Sequence, residues 1–139
     1  MNNKIINFLY REVIASDTAE RYAINNNVPY DLYDNMLASV VGMQRVRELL
    51  GKPCKVNSWF RCTKLNELVK GQPGSHHKLC LAIDFVPIGM TLEEAVQKIH
   101  ASDIPFDQLI LERNKAGARW IHISFAPQMR RQCFELLKK

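Results

Sequence analysis

The run GSHHKLCLAID, residues 74–84, holds a serine, two adjacent histidines and an aspartate in one short stretch. Imidazole nitrogens and carboxylate oxygens are the groups that hold a catalytic zinc, which takes three protein ligands and leaves a fourth position for water. A further candidate lies in WIHISF. Alternation along a strand there puts Ile121, Ile123 and Phe125 on one face and Trp120, His122 and Ser124 on the other. The same reading of LCLAIDF separates Leu81, Ile83 and Phe85 from Cys80, Ala82 and Asp84, and in DQLILE it separates Leu109 and Leu111 from Gln108, Ile110 and Glu112. Each strand thus has an apolar face for a core, while Asp84, Glu112 and His122 project from the other side. With His76 or His77 at the strand entrance, a His–Asp–His set for one zinc ion is available. A histidine on a strand is more often structural than ligating, so composition alone does not choose between these roles.

The elements that must position these groups are legible from periodicity. SDTAERYAI offers Ser16 as an N-cap, and YDLYDNMLASVVGMQRVRELLGK is the strongest helical segment. Its residues Leu32, Met36, Val40, Val41, Met43, Val46, Leu49 and Leu50 recur every three or four positions and are expected on the core face, with Gly51 where the helix stops. CKVNSWF reads as a strand, TKLNELVK as a short helix, GQPGSHHK as a loop and LCLAIDFVP as a second strand. TLEEAVQKIHAS is a helix with Thr91 as N-cap and Glu94 three positions on, a capping-box spacing. DQLILER and RWIHISF are strands joined by NKAGA, where Asn114 and Gly117 suit a hairpin turn. Helices come first and strands dominate the second half, which predicts an α+β fold with a small, mainly antiparallel sheet packed by helices.

The order Ser75-x-His77, six further residues and then Asp84, with Ala82 two positions before it, resembles the signature of the LAS-type zinc peptidases. That family includes D-Ala-D-Ala carboxypeptidases, D-Ala-D-Ala dipeptidases and L-Ala-D-Glu endopeptidases of bacteria and their phages. NSWFRCTKLNELVKG resembles the family's strand, arginine and "LN" segment, and DQLILE with WIHISF resembles its closing hairpin, so the likeness spans residues 8–125. It implies a Hedgehog/D-Ala-D-Ala-peptidase-like fold. It also implies one catalytic Zn2+ held by His77, Asp84 and His122, with His76 at the rim or packing the loop. Ser75 would orient a ligand or touch substrate, and Arg61 would bind the substrate carboxylate or the oxyanion. Trp120 and Trp59, on the same sides of their strands as the site residues, are candidates to wall the cleft, with core packing the expected role for at least one of them. Without the resemblance, an ordinary surface ion pair is an equal reading of Arg61.

The chain departs from the family's pattern at three places. Cys80 stands where many members have glycine, and is read as one small residue for another because a fourth protein ligand would close the water position. The positions two and three before the last histidine, where the family often places its base, hold Trp120 and Arg119. Glu112, on the face shared with His122, is therefore the expected general base; the competing role is an ion pair with Arg113, Lys115 or Arg119 at the hairpin end. Leu79, Cys80 and Leu81 make the loop after the histidines bulky, which would narrow the cleft. The implied function is hydrolysis of D-amino-acid-containing peptidoglycan stem peptides, as a carboxypeptidase or an endopeptidase. The alternative is a catalytically weak or inactive wall-binding module of the same fold.

Composition bounds the rest. A chain of 139 residues, 47% apolar and 24% charged, suits one compact domain over 1–139. The net charge of +5 is compatible with anionic wall polymers, membranes or nucleic acid. A basic helix or an aromatic–basic stacking motif is lacking, so no nucleic-acid partner is expected, and the basic residues are scattered apart from Arg130-Arg131 and Lys138-Lys139. No segment is long enough to span a bilayer, and Arg11 and Glu12 interrupt the N-terminal apolar patch too soon for a secretory segment. Synthesis in the cytoplasm, with release to the wall in the manner of a phage lysin, and a monomeric state are the expectations. The four cysteines lack disulfide-framework spacing and are expected to be reduced and mostly buried.

Overall fold

The computed structural model of the chain describes residues 6–138. Two short helices, α1 (Tyr10–Ile14) and α2 (Asp17–Arg21), precede a long helix α3 (Tyr33–Leu50). Strand β1 (Cys54–Ser58), helix α4 (Thr63–Leu68), strand β2 (Ala82–Pro87) and helix α5 (Leu92–Ala101) follow, and β3 (Gln108–Arg113), β4 (Arg119–Ser124) and β5 (Gln132–Leu137) complete the order. The sheet runs β1-β2-β4-β3-β5, antiparallel throughout except for the parallel pair β3–β5. The expected α+β class and mainly antiparallel sheet are therefore found.

Local chemistry sets the boundaries. Ser16 accepts from the Ala19 amide at 3.1 Å and Thr91 from the Glu94 amide at 3.1 Å, each satisfying a free amide of a helix start. Gly51 takes φ +64 at the end of α3. In the hairpin turn the Asn114 side chain accepts from the Ala118 amide at 3.0 Å, while Gly117 takes φ +94. The segment predicted as a plain loop contains one 3-10 turn, His76–Leu79.

Ile83, Phe85, Leu109, Ile121 and Ile123 form the core face of the sheet, covered by Met43, Val46 and Leu50 of α3 and Ala95 and Ile99 of α5. Two of the expected core positions on α3 differ: Val41 and Leu49 are exposed. Each sits one residue, hence about 100° of helix rotation, off the buried line. Ser39 and Gly42 take buried places instead. Ser39 accepts from the Trp59 indole N–H at 2.9 Å, and Gly42 lies so close to the Phe125 ring that a Cβ would overlap it.

The strand β5 was not expected. QCFELL is half-exposed and lacks alternation, so no periodicity announces it. Topology makes it easy to reach. Ser124 at the end of β4 lies opposite Gln108, so residues 125–131 need only cross β3 to start β5 at Gln132, also beside Gln108. Buried Asp107 secures that crossing: it accepts from the Arg130 amide at 3.0 Å and from the Arg130 guanidinium at 2.8 and 2.7 Å.

All four cysteines are free, but only Cys80 is fully buried, the other three being half-buried. Cys80 occupies left-handed backbone, φ +58, a conformation that favours glycine. Its thiol packs beneath α3 in contact with Ser39, and burial pushes its pKa up to about 12.

Two outcomes test this packing. Gly42→Ala should lower stability by about 1–3 kcal/mol, the usual cost of overpacking a filled core, read from the urea midpoint. Cys80 should stay unlabelled by iodoacetamide in the folded protein at pH 8 and react only after unfolding; mass spectrometry showing native-state labelling would contradict its place under α3.

Candidate metal centre and cleft

The backbone of His77 is held from three sides. Its amide donates to Ser75 Oγ at 3.2 Å, and its carbonyl accepts from the amides of Arg61 at 3.1 Å and Cys80 at 3.2 Å. The side chain is buried, with Nδ1 at 2.7 Å from the Trp59 carbonyl oxygen. A carbonyl can only accept, so Nδ1 carries the proton and Nε2 presents a lone pair. Burial lowers the pKa of the ring, against the pull of Asp84.

The antiparallel register sets Asp84 of β2 directly opposite His122 of β4. His77 Nε2 lies 3.2 Å from Asp84 Oδ1, and His122 Nδ1 lies 3.0 Å from the same oxygen. One ligand atom from each of the three residues falls within 4.8 Å of the others. Burial acts to raise the Asp84 pKa, but the charge and hydrogen bonds of His77 and His122, when these rings are protonated, outweigh it and hold the carboxyl well below the usual carboxylate range. His77 Nε2 is buried and has no hydrogen-bond partner among the described residues. A lone pair facing a carboxylate oxygen at that distance is repulsive unless a cation or proton lies between them. Tetrahedral zinc with ligands at about 2.0–2.2 Å sets its ligand atoms roughly 3.3–3.6 Å apart, a few tenths of an ångström more than the 3.2 and 3.0 Å found here, and two imidazoles with a carboxylate are donors of the type the ion takes.

Glu112 projects to the same side. It is 4% exposed, with Oε1 at 3.9 Å from His122 Nδ1 and Oε2 at 3.8 Å from Lys138 Nζ. Burial, then the Asp84 charge, raises its pKa; His122, Lys138 and the Trp120 indole oppose them. No ion pair between Glu112 and Arg113, Lys115 or Arg119 is found among the described residues, and Arg119 grips Glu93 through two contacts of 2.8 Å.

Arg61, just beyond β1, is buried rather than part of a surface pair. Its Nη1 donates to Asn66 Oδ1 at 3.1 Å, and Asn66 in turn donates to the Gln72 carbonyl at 2.9 Å. Nη2 lies 3.9 Å from Asp84 Oδ2. Gly71 is required here, since a Cβ would collide with Asn66 and Arg61. Burial lowers the Arg61 pKa, while Asp84 and Glu112 raise it.

These groups line a cleft of about 280 Å³ bounded by Arg61, Ser75, His76, His77, Glu112 and His122. A second hollow of about 340 Å³ adjoins it across Arg61 and Asp84, on the side of Ser16 and Ser58. A larger cavity, about 670 Å³, is confined to residues 11–27 and holds none of these groups. His76 is half-exposed at the cleft wall, with Nδ1 2.6 Å from Ser124 Oγ.

Several expected features lie elsewhere. Trp59 is wholly in the core, edge-on to Phe8 at 5.7 Å, the packing role expected for at least one of the two tryptophans. Trp120 stands opposite Glu112 in the β3–β4 register, partly buried, and does not line the cleft. Leu79 points to solvent and Cys80 and Leu81 into the core, so the bulky loop does not narrow the cleft. Sequence reasoning missed Gly71, Gln72, Arg130, Leu136 and Lys138 as cleft residues. The first two had a turn signal only, and the last three follow from the unannounced β5. No helix among the described residues is long and apolar enough to cross a membrane.

The family model described as Peptidase M15 matches residues 6–124. No curated protein matches the chain. The His–Asp–His convergence on an α+β scaffold and a match over most of the length agree with one another: the chain belongs to the peptidase M15 family, the LAS-type zinc peptidases.

Proposed function

We propose that the chain is a zinc-dependent peptidase that hydrolyses peptide bonds in peptidoglycan stem peptides containing D-amino acids, as a carboxypeptidase or endopeptidase. The observation that carries this reading is the convergence of His77, Asp84 and His122 within 4.8 Å, with a buried carboxyl, Glu112, 3.9 Å from His122. His77 Nε2, Asp84 Oδ1 and His122 Nδ1 would hold one zinc ion. Bound there, zinc supplies Lewis acidity, lowering the pKa of water toward neutrality and polarising the scissile carbonyl.

The chain's own residues do the rest. Glu112 takes a proton from the attacking water and gives it to the leaving amine, so the proton count closes over the cycle. Its burial moves its affinity for protons toward the range such a shuttle needs. Arg61, fixed by Asn66 and facing Asp84, donates to the oxyanion as it develops. Ser75 orients His77 through its amide. Space on both sides of Arg61 accommodates substrate residues on either side of the scissile bond. The net charge of +5 favours approach to anionic wall polymers. A monomer acting on the wall in the manner of a phage lysin, with no nucleic-acid partner, is the setting that accords with this chemistry.

Zinc-loaded protein should carry one metal ion per chain, and His77→Ala should lose it under the same dialysis. Glu112→Gln should keep the metal while the rate of stem-peptide release from sacculi falls by about 10²–10⁴-fold. Wild-type turnover by Glu112→Gln would remove it as the base. A metal-free wild type would sink the whole reading, and binding to sacculi without hydrolysis would support the non-catalytic module instead.

A further inference from the structure

The face of the sheet that carries Asp84, His122 and Glu112 continues beyond them onto β5. Ile110 and Glu112 of β3 pair with Phe134 and Leu136 of β5, and the ladder runs one step further where the Lys138 amide donates to the Arg113 carbonyl at 2.8 Å. Alternation therefore brings Leu136 and Lys138 to the cleft, and both line it. The family match ends at residue 124, so this wall is built by a segment outside the matched region.

The cations around the cleft are not equivalent. Arg61 is committed to Asn66 and faces Asp84. Arg130 is committed to Asp107 through three hydrogen bonds. The Lys138 ammonium donates no hydrogen bond among the described residues; its nearest carboxylate oxygen, on Glu112, is at 3.8 Å, beyond hydrogen-bond reach. Its side chain is 43% exposed on a flexible stem, and such a half-open pair contributes little to holding a fold. Glu112 Oε2 likewise has no hydrogen-bond partner among the described residues. A positive charge at the open wall of a peptide-sized cleft, with an apolar neighbour in Leu136, is the arrangement that recognises a negatively charged group on a bound chain.

Resting on the peptidase reading of the site, we propose that Lys138 is a specificity-determining residue that binds a carboxylate of the substrate on the Glu112 side of the cleft. Two carboxylates of a stem peptide share this chemistry, the C-terminal one and the free carboxylate of the D-glutamate residue. Leu136 packs the aliphatic part of the same residue.

The test uses zinc-loaded full-length protein and a synthetic stem pentapeptide in three forms: both carboxylates free, the C-terminal one amidated, or the glutamate one amidated. Wild type should prefer one free carboxylate over its amide by about tenfold in kcat/KM, mainly through KM; the form that loses activity identifies the group bound. Lys138→Met should bring the free peptide down to the level of that amide, and Lys138→Arg should restore most of the preference. Equal melting temperatures and metal contents exclude a folding effect. If Lys138→Met slows free and amidated peptides by the same factor, or the preference survives it, Lys138 does not read the substrate. Wild-type hydrolysis with no preference overturns this proposal alone, whereas no hydrolysis of any form overturns the peptidase reading and this one with it.

Discussion

The hydrogen bond between His77 Nδ1 and the Trp59 carbonyl, 2.7 Å long, is the contact on which the candidate centre depends. It settles which ring nitrogen is free and where it points. Trp59 can hold that carbonyl still because its own side chain is locked. Its indole donates to Ser39 of α3, and its ring packs edge-on against Phe8. One residue thus belongs to two systems: the side chain to the apolar core and the backbone to the polar site. Loosening the core beneath α3 would be felt at the imidazole.

The second constraint is the register of β2 against β4. Side chains repeat every two residues along a strand, so a slip of one residue would send Asp84 into the core and Ile83 into the cleft. The apolar face of Ile83, Phe85, Ile121 and Ile123 forbids that slip through the cost of exposing it. Hydrophobic burial on one side of the sheet is what fixes the ligand geometry on the other. The central position of both strands adds to this, since each is hydrogen-bonded on two sides.

What could be read from residues alone followed from these periodicities. The sorting of Asp84, His122 and Glu112 onto one face needed only alternation, and the caps at Ser16 and Thr91 only their side-chain oxygens. The choice of His77 over His76 came from a family spacing, and the two rings do diverge, one to Asp84 and the other to Ser124. Periodicity failed where burial is not set by hydrophobicity. Ser39 and Gly42 are buried for a hydrogen bond and for close approach to Phe125, while Val41 is exposed despite its type. Strand parity held for Trp120, which stands opposite Glu112, but not for Trp59, which lies past the last residue of β1. The half-exposed β5 has no apolar face to announce it, because its pairing is made by backbone groups and by the anchoring of the crossing at Asp107.

The placement of β5 at the sheet's edge has a consequence for how such a cleft can change over generations. Phe134, Leu136 and Lys138 are each roughly half open to solvent, so replacing them sacrifices little burial. Two of the three candidate ligands, Asp84 and His122, sit on inner strands, where nearly every neighbour is buried and substitution is costly. Mutational tolerance and the open wall of the cleft coincide in one short segment, while intolerance and the candidate ligands Asp84 and His122 coincide in another. A scaffold divided in this way can drift toward new peptides through its outermost strand and leave its central machinery untouched.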